Sequence, residues 1–424
     1  MTFRPSLIAA AVLLSQAPAA LAAGSAVEVQ VELDANKPEF NRPLVTVSVC
    51  ANRPGSGHAD DCVQVHNVLL DTGSSGLQLR ADALTADLAE KLGVSAEDPK
   101  PGDIHYCGRF PGHVMWGQAA SAWVGLGDVY TTGPIGIAVL KPSKYDPPNG
   151  CHPSENLARF GVNLLPAGVN GILGVAPLPN VCSKFPNGDC PTDADSAPYF
   201  QKEPVEGSFD WVGWKPVVPP TALELANPVS AFPVGANDGV VLQMSALSPA
   251  ELKAGRAMGT LYLGVEAWSA ELFPPSARKI LLTGSTLAVT GGINTLNAGP
   301  AKDVQTLFDS GSPDIGAPRA ILTLAQGAAP ASWYLWLTAK NAEGQREFHG
   351  SYRMRFVDAS NIVGSSPESA NVRTKFESGG NLLLGMPFFY GRTIAFGIAD
   401  DPRKVVDGKP SAGFLMIEDP ETGR

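Results

Sequence analysis

The chain has 424 residues, 44% apolar and 17% charged, enough material for more than one domain and unlike a chain that stays disordered. A net charge of −10 excludes nucleic acid and anionic membrane surfaces as main partners, because no basic stripe could collect phosphates. In chain order, residues 1–23 join Arg4, an apolar run and the A-x-A-like site Ala20-Leu21-Ala22. That is the layout of a secretory signal peptide, too short to anchor the protein in a membrane. With no later stretch of spanning length, the mature chain is expected in the periplasm or outside the cell.

Strand patterning follows at once. "AVEVQVEL", "LVTVSVC" and "CVQVHNVLLD" alternate apolar and polar positions with period two, as half-buried strands do. Helical pattern is scarce: Arg80 to Gly93 is the best candidate, and a second, shorter one lies around "SPAELKAG" from Ser248. Glycine (45) and proline (37) punctuate nearly the whole length, and short strands between turns at this density predict an all-β fold. The six cysteines are even in number and include no C-x-x-C, which favours disulfides over a zinc or redox site. The local pairs Cys50–Cys62, Cys107–Cys151 and Cys182–Cys190 are expected, since each closes a loop rich in Gly, Pro and Asn.

An internal repeat carries the functional signal. "LLDTGSSGL" around Asp71 is followed by Asn170 and Ile172-Leu173-Gly174; "LFDSGSPDI" around Asp309 is followed by Asn381 and Leu383-Leu384-Gly385. A lone Asp in such a setting is ordinary turn chemistry, but an ordered match in both halves is not. The duplication predicts two lobes, 24–245 with Asp71 and 246–424 with Asp309, related by a pseudo-two-fold axis where the Asp loops meet.

Two carboxylates a hydrogen bond apart cannot both ionise cheaply, so they share one proton over a wide pH range. Such a pair can deprotonate a water and protonate a carbonyl oxygen together. Gly73 and Gly311 permit close backbone approach and offer N–H groups. Ser74 and Ser312 can donate to the outer carboxylate oxygens, and Thr72 and Ser310 can tie each loop to the opposite lobe.

These motifs resemble the pepsin-like aspartic peptidases, in which each lobe supplies one Asp from a D-[ST]-G-[ST] loop backed by a hydrophobic-hydrophobic-Gly strand. The stretch from Gly259, "GTLYLGVEAW", resembles that family's second-lobe strand entering a Gly-rich turn, and "LLLGMPFFYGRTIAFGIAD" its C-terminal strands. The wider pattern is also similar to an uncharacterised family of secreted proteobacterial proteins. The resemblance implies a bilobal double β-barrel with a central cleft, and a monomeric aspartic endopeptidase acting on peptide or protein substrates in acid. Asp71 and Asp309 would be its catalytic pair, with no cofactor and no metal.

Two departures concern the flap hairpin that covers the cleft in that family. The register that aligns its closing glycine on Gly117 places Phe110 where the family has a Tyr, with Tyr106 and Trp116 as nearby substitutes. Gln78 stands where a Trp follows the first motif. The altered flap keeps open an alternative, a catalytically weak or inactive protein that binds peptides or envelope components in the cleft. Other chemistries lack their signatures: there is no G-x-S-x-G elbow, no phosphate loop, and no His pair spaced for metal.

Overall fold

In the computed structural model the described residues are 25–55, 61–95, 99–110, 113–141, 147–148, 151, 165–185, 188–203, 213–283, 288–295, 298–318, 331–340, 346–358, 373–377, 381–399, 405–406 and 409–418. The expected signal peptide lies outside them. The fold is all-β, in three connected parts.

In the first part, strand pairing runs full circle. Pro43–Cys50 pairs with Cys62–Asp71, which pairs with Gly171–Val175, then Ser75–Arg80, Ile135–Leu140 and His113–Leu126, which returns to Pro43–Cys50. The third part is a closed barrel of seven strands. It includes Ala298–Phe308, which leads into Asp309, and its parallel neighbour Leu382–Leu384. Between the two lies a connecting sheet. Ala26–Glu32 from the start of the chain pairs with Arg256–Leu263, which continues through Gly239–Met244 to Thr393–Ile398, Lys409–Glu418 and Ile280–Thr283. Strands from both ends of the chain are therefore interleaved in the middle of the molecule.

Burial explains the patterning. In Ala26–Glu32 the alternate residues Val27, Val29 and Val31 are buried, as period two demands of a strand with one wet face. The Asp-bearing strand ends differently: Val68, Leu69, Leu70 and Asp71 are all buried, because here the strand is parallel to Gly171–Val175 and covered on both faces. One apolar cluster, including Leu70, Leu77, Leu242, Leu261, Phe308 and Leu335, runs through all three parts. Each such fully buried side chain contributes about 1.5–3 kcal/mol.

The helical expectations need adjustment. Only Ala86–Lys91 of the first candidate is α-helical, starting at Thr85, whose side chain accepts from the Leu88 N–H. The preceding residues continue a strand to Arg80, because Leu77 and Leu79 belong to the barrel core. The second candidate is the helix Pro249–Ala254, closed by reciprocal bonds between Ser248 and Glu251 and by Gly255 at φ 68°, as its S-x-x-E spacing allows. Within "GTLYLGVEAW" the strand stops at Leu263 and Val265–Leu272 is helical, since Gly264 (φ 87°) turns the chain and Asp238 accepts from the first two helical N–H groups. A short helix, Met386–Phe389, likewise interrupts the C-terminal strands.

Disulfides join Cys50 to Cys62, Cys107 to Cys151 and Cys182 to Cys190. Among the described residues no helix is long and apolar enough to cross a membrane. Three disulfides fit a protein secreted or held in the periplasm.

Candidate active site

The two Asp loops meet where the first part faces the seven-stranded barrel. Asp71 ends its strand opposite Gly174; Asp309 follows Phe308, which lies opposite Leu384, and its N–H bonds to the Leu384 carbonyl at 2.9 Å. Each loop then turns beneath its own carboxylate. The Gly73 N–H donates to Asp71 Oδ1 at 2.8 Å and Ser74 Oγ to Oδ2 at 2.5 Å. The Gly311 N–H donates to Asp309 Oδ1 at 2.9 Å and Ser312 Oγ to Oδ2 at 2.8 Å. The two loops carry the same bonds in the same order, so the sequence repeat is also a geometric one.

The middle residues lock the loops to each other. Ser310 N–H donates to Thr72 Oγ1 at 2.9 Å and Thr72 N–H to Ser310 Oγ at 3.2 Å. Onward, Thr72 Oγ1 donates to the Phe308 carbonyl at 3.1 Å and Ser310 Oγ to the Leu70 carbonyl at 2.7 Å. Both side chains are fully buried. A short polar network with every hydroxyl paired holds a unique geometry at low dielectric.

The glycines show how close the carboxyls come. A Cβ on Gly73 would lie 2.7 Å from Asp309 Cγ, and one on Gly311 3.0 Å from Asp71 Cγ. Each carboxyl therefore sits against the other loop's glycine. The backing strands need glycine for a related reason: a Cβ on Gly174 would lie 2.7 Å from the Ser74 carbonyl, and one on Gly385 2.0 Å from the Asp314 carbonyl. Contacts that short with backbone admit no side chain.

Electrostatics follow from this packing. The Asp309 carboxyl is held well above the usual carboxylate range, first by burial, then by the charge of Asp71 and the hydrogen bond with it; Ser312 and the Gly311 N–H pull the other way. The pair thus retains a proton where isolated carboxylates would lose theirs.

A polar brace missed in the sequence supports the second loop. Asn41, fully buried at φ 58°, donates to the Pro313 carbonyl at 2.5 Å and accepts from the Tyr390 hydroxyl at 2.5 Å. No motif links positions 41, 313 and 390. The one available signal is that Asn tolerates a left-handed turn residue.

The hairpin Ile104–Phe110 with His113–Leu126 presents two faces. Tyr106, Gly108 and Phe110 lie on the inner one, with Phe110 packed against a cluster that includes Leu69, Met115 and Ile172. Trp116 is on the outer face, opposite Cys107, packed among His105, Phe200 and Trp214. Of the two substitutes for the flap aromatic, only Tyr106 shares Phe110's side. Gln78, fully buried, faces Gly108.

No curated protein matches the chain. Among solved structures, the aspartic proteinase from Irpex lacteus is similar, with 13% identity and a TM-score of 0.48, over 94% of this chain and 98% of that one. The family described as protein of unknown function, DUF3443, matches residues 20–412, and the chain belongs to that family.

Proposed function

We propose that the protein is an exported aspartic endopeptidase whose catalytic groups are Asp71 and Asp309. One observation carries the reading: two carboxyls packed against each other's glycine, one of them held above the usual carboxylate range by burial and then by the other's charge. A binding cleft has no use for a shared proton. In the reaction, the ionised carboxylate takes a proton from a water between the pair, and the protonated carboxyl donates to the scissile carbonyl. The water oxygen adds to the carbonyl carbon without a covalent enzyme intermediate. Collapse returns a proton to the leaving amine and restores the singly protonated pair. Ser74, Ser312 and the two glycine N–H groups fix the carboxylates throughout, so little reorganisation accompanies the charge shift. The substrate is an extended peptide or unfolded protein, and the working form is a monomer.

The test is cleavage of an unfolded protein across about pH 3 to 7 by the mature chain and by Asp309→Asn, with folding checked by circular dichroism. Loss of about 10²–10⁴-fold in the folded variant, together with inhibition by a statine-type analogue, is expected. If the wild-type protein cleaves nothing at any pH, the reading is wrong and the cleft is a binding site.

A further inference from the structure

The hairpin Ile104–Phe110 with His113–Leu126 stands beside the carboxyls. On the strand Gly171–Val175, Gly174 lies opposite both Asp71 and Gly76, and Ile172 lies opposite both Leu69 and Gln78. Directly paired residues share a face, so the row of Leu69, Ile172 and Gln78 is one two-residue step, ~7 Å, from the row that carries Asp71. Phe110 and Met115, one from each strand of the hairpin, belong to the apolar cluster built on Leu69 and Ile172. Asp309, Gly73 and Gly311 stay partly exposed, so the pair can be reached past the hairpin.

The inner face of the hairpin is seated closely but not bonded through Gln78. A Cβ on Gly108 would lie 2.9 Å from the Tyr106 ring and 3.2 Å from both Gln78 Oε1 and the Phe110 ring, so nothing can be inserted there. Neither amide atom of Gln78 has a hydrogen-bond partner among the described residues. The bonds come from the outer side. Tyr199–Glu203 pairs with residues 104–106 and is itself backed by Gly213–Pro216. The Cys107 N–H donates to the Pro198 carbonyl at 2.7 Å, and Arg109 Nη1 donates to the Ala197 and Ser196 carbonyls at 2.8 and 3.3 Å. A disulfide fastens Cys107 to Cys151, and Trp116, 2% exposed, is covered by Phe200 and Trp214.

Lifting this hairpin would part a strand pairing, bring Trp116 into water and strip Arg109 of its carbonyls, while the disulfide still held its base. Segments that open readily have few apolar contacts and solvent-exposed backbone bonds; this one has the reverse. Building on the peptidase reading, we infer that the hairpin is a fixed wall of the substrate cleft, and that Arg109 and the Cys107–Cys151 disulfide are positioning residues that hold it there. A flexible, extended peptide slides in along the wall, and the site does not close over it. A fixed wall makes the same contacts in the ground state and the transition state, so it contributes uniform binding, which sets KM and leaves kcat alone. A lid that assembled the site on closing would couple the two.

The experiment compares the folded wild-type chain with Arg109→Met and with Cys107→Ala/Cys151→Ala, two variants that weaken the hold by different means, so that one failing to fold leaves the other. Hydrogen exchange is followed by mass spectrometry. In the wild type the hairpin amides should exchange as slowly as those of Gly239–Met244 in the connecting sheet, and each variant should speed exchange in the hairpin while leaving that strand unchanged. Peptide cleavage by the same proteins should show KM raised by about tenfold, the effect of losing roughly one hydrogen bond, with kcat unchanged. Wild-type hairpin amides exchanging on the order of 100-fold faster than Gly239–Met244, or variants in which kcat falls as KM rises, overturn the inference. A hairpin as protected as the core strand in a protein that cleaves no peptide at any pH overturns the peptidase reading instead and leaves the wall standing as part of a binding cleft.

Discussion

Ser312 and Ser74 make equivalent bonds to carboxylates that differ in environment, and that difference can be measured. The Ser312 hydroxyl stabilises the anionic form of Asp309, opposing the burial and the Asp71 charge that raise its pKa. Ser312→Ala removes the donor, so Asp309 keeps its proton to higher pH. The alkaline limb of the pH profile of kcat/KM should then move upward, with a lower maximum because one fixed dipole is gone. An unchanged limb would show that Asp309 does not set it. The stability sign is separate: a carboxyl whose folded pKa is raised contributes stability below the ordinary carboxylate range and loses it as pH rises. At this scale the sequence was informative, because the donors sit at fixed offsets from each Asp. What it left unread was that Gln78 is buried against Gly108, thirty positions on, with its amide unpaired among the described residues.

Elements rather than single residues hold the second loop in place. The turn between Ala26–Glu32 and Pro43–Cys50 carries Asn41 across to Pro313, and Tyr390, just past the helix Met386–Phe389, completes the contact. Asn41→Gly keeps the left-handed backbone but deletes both bonds, leaving the buried Tyr390 hydroxyl and the half-buried Pro313 carbonyl short of a partner. It should lower stability by about 2 kcal/mol in a urea titration and reduce kcat more than KM, since the Asp309 loop loosens while the rest of the cleft stays. Asn41→Ala adds backbone strain of about 1–2 kcal/mol and should be worse. A loss no larger in Asn41→Ala than in Tyr390→Phe would mean that the turn does not depend on its side chain. The strands around this brace were legible from period two and from the repeated motifs. The helices were not: Met386–Phe389 and Val265–Leu272 are fixed by Gly385 and Gly264 in contact with distant backbone, and local periodicity cannot report that.

Over the whole molecule, the all-β architecture was readable because short period-two strands alternate with Gly- and Pro-rich turns along nearly the whole chain. The connecting sheet was not, since the pairing of Ala26–Glu32 with Arg256–Leu263 spans most of the chain and leaves no local trace. That sheet joins the two barrels into one core, so protonation anywhere in the core acts on global stability. His105 is the group to watch. It is stacked on Trp116 and edge-on to Trp214, and burial, its largest influence, pushes its pKa from 6.5 down to about 4; Asp103 opposes the shift and Lys202 adds to it. The unfolded chain therefore binds this proton below about pH 6.5 while the folded chain does not until about pH 4. Stability contributed by His105 is complete above the higher value and is lost as pH falls between the two, by about 3 kcal/mol in all. Asp309 has the opposite sign, favouring the folded state in acid. Thermal melts of wild type and His105→Phe from about pH 7 to 4 separate the two: Phe can still pack against both tryptophans, so the variant should lose less stability on acidification by roughly that amount. Parallel melting curves would show that His105 is already protonated in the fold or that the Trp116–Trp214 cage opens to water, and the acid limit of the protein would then lie with its carboxylates.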